Sequence, residues 1–288
     1  MIGRGTLLGL VAVVLLGAVF TLRSADPAQA DPPAVAALGA RIAADRTTAL
    51  SAVDALQHQV TAAIDEARQG AALATQDGDQ PGPHLEAAGR ILARTNALEA
   101  TLRASLRRLA GDLAIRGDRE APRLDIGTGE ISAIAGQMAS SAPAANGFQR
   151  MHLATRTTLE RLDAALAALT RHDPPGALAA LDQADAAFAV VREWPGQLDT
   201  LPVWIDTTGN LLAAVRALAV ATRDGDTAAV DRAAEAYRAA AEEARKADLA
   251  LAIAVAEGAS TVTSAPLSAA ADIQAQLDAT RAAVEGTP

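Results

Sequence analysis

The sequence predicts an all-α protein: an elongated antiparallel helical bundle of about six to eight helices with alanine-rich packing, preceded by an N-terminal export signal or anchor helix. Three observations lead there. Alanine, the best helix former, fills about a quarter of the 288 positions. Aromatic residues are only 2 % of the chain and β-branched residues are few, which leaves little to cover the pleated face of a sheet. Apolar residues recur at three- and four-residue spacing between punctuating turns. Charged residues at 20 % and a mean hydropathy of +0.15 argue against a disordered polyampholyte.

The N-terminus reads as an address. Met1–Gly5 is short and carries Arg4, and Thr6–Leu22 is uncharged and strongly apolar for 17 residues. Ala28-Gln29-Ala30 then offers the small-x-small pattern that a signal peptidase accepts. The competing reading is an uncleaved anchor, because 17 residues reach the lower limit for spanning a bilayer. Arg4 and Arg23 flank the segment almost symmetrically and orient it weakly. Both readings place residues 31–288 outside the cytoplasm, as a secreted, periplasmic or cell-surface protein. Membrane contact is then expected only through residues 6–22, if they stay attached; no later segment has 18 uninterrupted apolar residues.

The first helix of the exported part should start at Asp31-Pro32-Pro33, with Asp31 capping orphan amides and Pro32 preset for the first turn. Leu50, Val53, Leu56, Val60 and Ile64 keep one face apolar to about Thr75, unless Gly39 or Gly70 breaks it. The turn Asp77–Pro83 leads to a second helix with Ile91, Leu98, Leu102, Leu106, Leu109 and Leu113 in register. Gly117, Pro122, Gly127 and Gly129 mark a loop, followed by a short helix over Glu130–Ser140. Ser141–Gly147 is read as a second break. Leu159, Leu162, Leu166 and Leu169 define a third long helix, and Asp173-Pro-Pro-Gly176 turns the chain into a fourth with Leu181, Phe188 and Val191. After Pro195–Pro202 comes one with Leu212 and Val215. Asp224-Gly-Asp226 opens a helix whose inner positions, Ala233, Ala240, Ala244 and Ala247 among them, are mostly alanine, which lets helix backbones approach closely. A last helix holds Ile273, Leu277, Thr280 and Val284. The domains expected are 1–30 as signal or anchor, 31–142 as a first lobe and 148–286 as a second, with one continuous bundle as the alternative.

Composition narrows the chemistry. Absence of cysteine excludes disulfides, thiolate metal sites, covalent haem attachment through CxxCH, a cysteine nucleophile and a lipobox anchor. A net charge of −9 repels phosphate backbones, so nucleic acid is not an expected partner. Lys246 is the only lysine; Arg103, Arg107 and Arg108 form a basic cluster best read as a solvated helix face. Among the histidines, His58 has Asp54 one turn before it, His84 and His172 fall at turns, and none is preceded at three residues by glutamate, as a di-iron bundle requires. Met151-His152, with Met138 nearby, would offer soft ligands to copper or axial ligands to haem, although Met151 at a core position is more simply packing. There is no G-x-S-x-G elbow, no HExxH and no phosphate-cradling glycine loop, and Arg116-Gly117-Asp118 is a chance tripeptide. No catalytic residue, cofactor or metal is assigned, and the chain is not expected to be an enzyme.

One segment stands apart. Arg192–Asp206 contains both tryptophans, Trp194 and Trp204, and alanine vanishes from it. Pro195 and Pro202 stiffen the connection. Two indoles anchoring an irregular connection onto an alanine-rich bundle is the simpler reading. The functional one is a ligand or partner site formed by Arg192, Trp194, Asp199, Trp204 and Asp206, with Glu193 beside them, suited to an amphipathic or cationic ligand. The function expected is a non-catalytic binding or spacer role at a bacterial-type cell envelope, toward an envelope protein or a small ligand. The alternatives are a small-ligand sensor or solute-binding bundle using Trp194–Trp204, and an envelope metal or haem binder.

Overall fold

A computed structural model describes residues 32–118 and 120–287. Its helices are α1 (Pro32–Leu73), α2 (Gly82–Ala93), α3 (Asn96–Arg116), α4 (Glu130–Thr170), α5 (Pro174–Arg192), α6 (Leu201–Asp224) and α7 (Thr227–Glu285). No strand occurs among the described residues, so the all-α class holds for them. The export segment at 1–30 and the cap at Asp31 lie outside them.

The helix boundaries follow local chemistry where the turn residues are explicit. Asp173 caps α5 by accepting from the Gly176 amide at 2.9 Å, with prolines in the first turn. Gly225 closes α6 in the left-handed conformation at φ 71°, and Asp226 Oδ1 accepts from Ala229 N at 3.0 Å to open α7. α1 ends two residues before the expected Thr75 and runs through both Gly39 and Gly70.

Four expectations are corrected. The second helix is two, because the chain turns at Arg94-Thr95; Thr95 is buried and its hydroxyl donates to Leu92 O at 2.7 Å, a local bond that competes with the helical ladder. The break at Ser141–Gly147 is absent, and α4 continues with Pro143 inside it. Its buried face, Ile134, Met138, Ala142, Ala145 and Phe148, is unbroken, and that packing outweighs one missing amide. The two C-terminal helices are the single α7, which carries Pro266 internally. Trp204 lies in the first turn of α6, not in the connection before it. By length and composition α7 would also pass for a membrane span, a test that core helices of soluble proteins meet as well. Leu249 and Ile253 on it are exposed.

The chain groups into two compact units. The first comprises residues 32–53, Thr101–Leu124 and 280–287. Ile42, Ala49, Ala52, Val53, Leu102, Leu106, Leu109, Leu113 and Val284 are among its buried residues. Arg41 forks onto Asp112 through Nε at 3.3 Å and Nη2 at 3.2 Å, and Arg108 Nε donates to Asp45 at 2.8 Å. One member of the basic cluster therefore has an acidic partner within its own unit. Exposed pairs of this kind contribute about 0–1 kcal/mol each, so the apolar seam carries the unit.

The second unit, Asp54–Ala100 and Asp125–Ala279, holds the larger core. Phe148, Met151, Leu162, Leu181, Phe188, Trp204, Leu212 and Val215 interdigitate with Ala165, Ala168, Ala177, Ala184, Ala219 and Ala244. α4 packs against α2 and α5, and α5 against α6. Gly89 makes the α2 contact possible: a Cβ there would sit 2.8 Å from the Ala135 carbonyl oxygen on α4. The loop after α1 is latched to α4 by two amide side chains. Gln149, 4 % exposed, donates from Nε2 to the carbonyls of Leu73 (3.1 Å), Gln76 (3.0 Å) and Asp79 (2.9 Å), and Asn146 Oδ1 accepts from Gly82 N at 2.7 Å. Leu73 ends α1, and its carbonyl accepts from the Gln76 amide at 3.0 Å as well as from Gln149. On the exposed side of α7, Lys246 Nζ reaches Glu243 at 2.9 Å and Glu242 at 3.5 Å.

Candidate functional site

Six aromatic residues serve the whole chain, and four of them gather in the second unit as two pairs. In the first pair Trp204 is fully buried, 5.8 Å from the Phe188 ring and tilted by 55°. Its Nε1 donates to Asp248 Oδ1 at 2.6 Å, tying α6 to α7. This indole fills the core and has its polar atom satisfied.

The second pair behaves differently. Trp194 follows the Glu193 cap of α5 and is only partly buried, edge-on to the buried Phe148 of α4 at 6.1 Å and 74°. Its ring lies over the backbone of Gly196, where it occupies the place a Cβ would need, so only glycine fits beneath it. A cleft of about 690 Å³ opens beside the ring. Phe148, Trp194, Pro195 and Leu198 give it an apolar lining; Ala254 and Gly258 of α7 also line it, Gly258 packed closely against Phe148 and Leu198. A smaller recess of about 270 Å³, lined by Arg150, Met151 and Glu193 among others, also adjoins Trp194. The volume of the larger cleft is within the ordinary range for small-molecule sites, which are mostly apolar with a few polar groups.

Those polar groups are acidic or neutral. Asp199 and Glu257 are the charged side chains lining the larger cleft, and no arginine, lysine or histidine lines it. Thr200 also lines it, and its hydroxyl oxygen is buried without a hydrogen-bond partner. Thr200 directly precedes α6 but makes no side-chain cap, so the hydroxyl is not consumed by the helix.

Of the five residues predicted for a site, the structure brings Trp194 and Asp199 together and separates the rest. Trp204 is core. Arg192 is exposed, its guanidinium carbon 6.0 Å from the Phe188 centroid, and lines neither recess at Trp194. Asp206 is exposed on α6 and lines neither as well. Phe148, Thr200, Glu257 and Gly258 were not predicted. An isolated glycine in an otherwise helical pattern, Gly258, was the one signal available for the α7 wall.

The other candidates have structural positions. Met151 is fully buried and its sulfur accepts from Thr155 Oγ1 at 3.6 Å, while Met138 is also fully buried. His152 is partly buried; burial foremost, with the Arg156 charge next, pushes its pKa below the usual histidine value. His84 Nδ1 meets Glu66 at 2.8 Å, and the neighbouring Glu86 pairs with Arg90 instead. His58 is exposed, and His172 sits at a helix end with φ 59°. No group of three or more metal-binding side chains occurs among the described residues.

Asp248 gives a pH dependence of defined sign. Burial raises its pKa above the ordinary aspartate value, the Trp204 bond opposes that, and Asp163 adds to it. A carboxyl whose folded pKa is raised binds protons more readily folded than unfolded, so the fold gains stability as pH falls from neutral toward the ordinary carboxylate range. Asp248→Asn keeps an acceptor for Trp204 and should be more stable than wild type at pH 7, with that advantage shrinking on acidification. Urea unfolding followed by tryptophan emission measures it, and an advantage that grows on acidification would contradict the assignment.

No known protein family matches the chain, and neither a curated protein nor a solved structure is similar to it.

Proposed function

We propose that this chain is a non-catalytic, extracytoplasmic binding protein whose working surface is the cleft beside Trp194. The observation that carries the reading is the contrast between the two indoles. Trp204 is buried and hydrogen-bonded, as a structural anchor is; Trp194 stands partly exposed beside an apolar cleft lined by two carboxylates. A rigid, largely preformed recess with few polar groups is what a small-ligand site needs. The export pattern of residues 1–30 supports a place at the cell envelope.

Ala254 is partly buried on the α7 wall, so Ala254→Phe should fill the recess without cutting into the core. Native mass spectrometry of the chain recovered from its own envelope should then show a small molecule on the wild type and none on the variant. A bare wild-type chain overturns the reading. The location has its own test. A reporter fused after residue 60 should be active only outside the cytoplasm, and activity inside would refute export.

A further inference from the structure

We infer that the Trp194 cleft takes a small organic monocation, an ammonium group on a compact apolar or aromatic body. The inference rests on reading that cleft as the working surface, and deepens it by naming the class of ligand. The charged side chains lining the cleft are Asp199 and Glu257, with no basic residue beside them to neutralise an entering acid. An anion would meet two exposed carboxylates of its own sign, a repulsion that weakens as salt is raised. Asp199 makes no ion pair and no hydrogen bond among the described residues. A cation supplies what it lacks.

The lining agrees. An ammonium carries several N–H donors and no acceptor, so it needs acceptors grouped near one another. The carboxylates of Asp199 and Glu257 are the charged acceptors that line the cleft, and both are exposed to an entering ligand. The apolar body of the ligand would lie against Phe148, Trp194 and Leu198. The Trp194 indole adds the π-surface that attracts cations more strongly than any other side-chain ring. The net charge of −9 raises the local concentration of cations around the chain as a whole.

The test uses three molecules of similar shape and different charge: 2-phenylethylamine, 2-phenylethanol and 3-phenylpropanoate. Each is titrated into the full chain held in zwitterionic phosphatidylcholine nanodiscs, and tryptophan emission is followed. The amine should bind at least about tenfold more tightly than the alcohol, and the acid should give no response. The preference should shrink as salt is raised. Trp194→Phe should remove the emission response, since Trp204 is buried away from the cleft. Asp199→Asn should bring the amine down to the level of the alcohol while the alcohol is unaffected. Equal binding of amine and alcohol, or tighter binding of the acid, overturns the cation inference and leaves the cleft as a site. No response to any of the three overturns the inference and the site reading together.

Discussion

Trp204→Ala should destabilise the protein by about 3–5 kcal/mol, the usual cost of deleting a fully buried tryptophan. The loss has two parts. Removing the indole leaves a cavity against Phe188 that an alanine-rich neighbourhood cannot collapse to fill, because its helices already sit close together. Removing Nε1–H also strips the partly buried Asp248 carboxylate of its donor. Trp204→Phe separates the parts: it keeps most of the volume and loses the donor, so its cost should be about 1–3 kcal/mol. Trp194→Ala should cost about half as much as Trp204→Ala, because that ring is partly exposed. Urea unfolding of the three variants decides the matter. Equal losses at Trp194 and Trp204 would contradict the division of labour between core indole and cleft indole.

Gln149→Met should be the second large effect, at about 2–4 kcal/mol, although the two side chains are similar in length. One amide nitrogen faces three carbonyl oxygens at 2.9–3.1 Å. Two hydrogens serve three acceptors, so one hydrogen is shared. Three acceptors in this arrangement also fix which end of the amide faces them, since the carbonyl end would be repelled. A thioether offers no donor, so the carbonyls of Gln76 and Asp79 lose theirs while Leu73 keeps the Gln76 amide; each carbonyl left dry costs about 1–3 kcal/mol unless the loop opens to water. Residues 74–82 should therefore exchange their amide hydrogens faster in the variant, ahead of global unfolding. Unchanged exchange in that loop, with wild-type stability, would show that the latch contributes nothing.

The all-α class and most turn positions were legible in the sequence because they depend on local chemistry. Asp173, Gly225 and Asp226 do at their helix ends what their side chains and backbone freedom dictate. The missed features depend on packing at a distance. The turn-forming residues of Ser141–Gly147 spell a break in the sequence, yet the buried face on both sides of Pro143 is continuous. Thr95 looked like an ordinary helical residue, and its bond to Leu92 O is visible only once it is buried. The candidate site was half legible for the same reason. Trp194 and Asp199 share a short segment, but Phe148 and Glu257 come from helices far along the chain in both directions. Nothing in their own neighbourhoods marks them as facing a cleft. In the sequence the two tryptophans are equivalent members of one segment. Helix α6 begins between them, at Leu201, and turns one into the core while the other stays at the surface.

Lys246 carries a practical consequence. A protein of this size ordinarily presents many amines to an acylating reagent, but here one side-chain amine exists, exposed on α7 beside Glu242 and Glu243. Those carboxylates hold its pKa above the ordinary lysine value, the Glu243 hydrogen bond foremost, so it stays in the unreactive protonated form to higher pH. A label on Lys246 would sit about 12 Å along the helix axis from Ala254, on the same α7 that lines the cleft. A dye there would turn occupancy of the recess into an optical signal without any engineered cysteine.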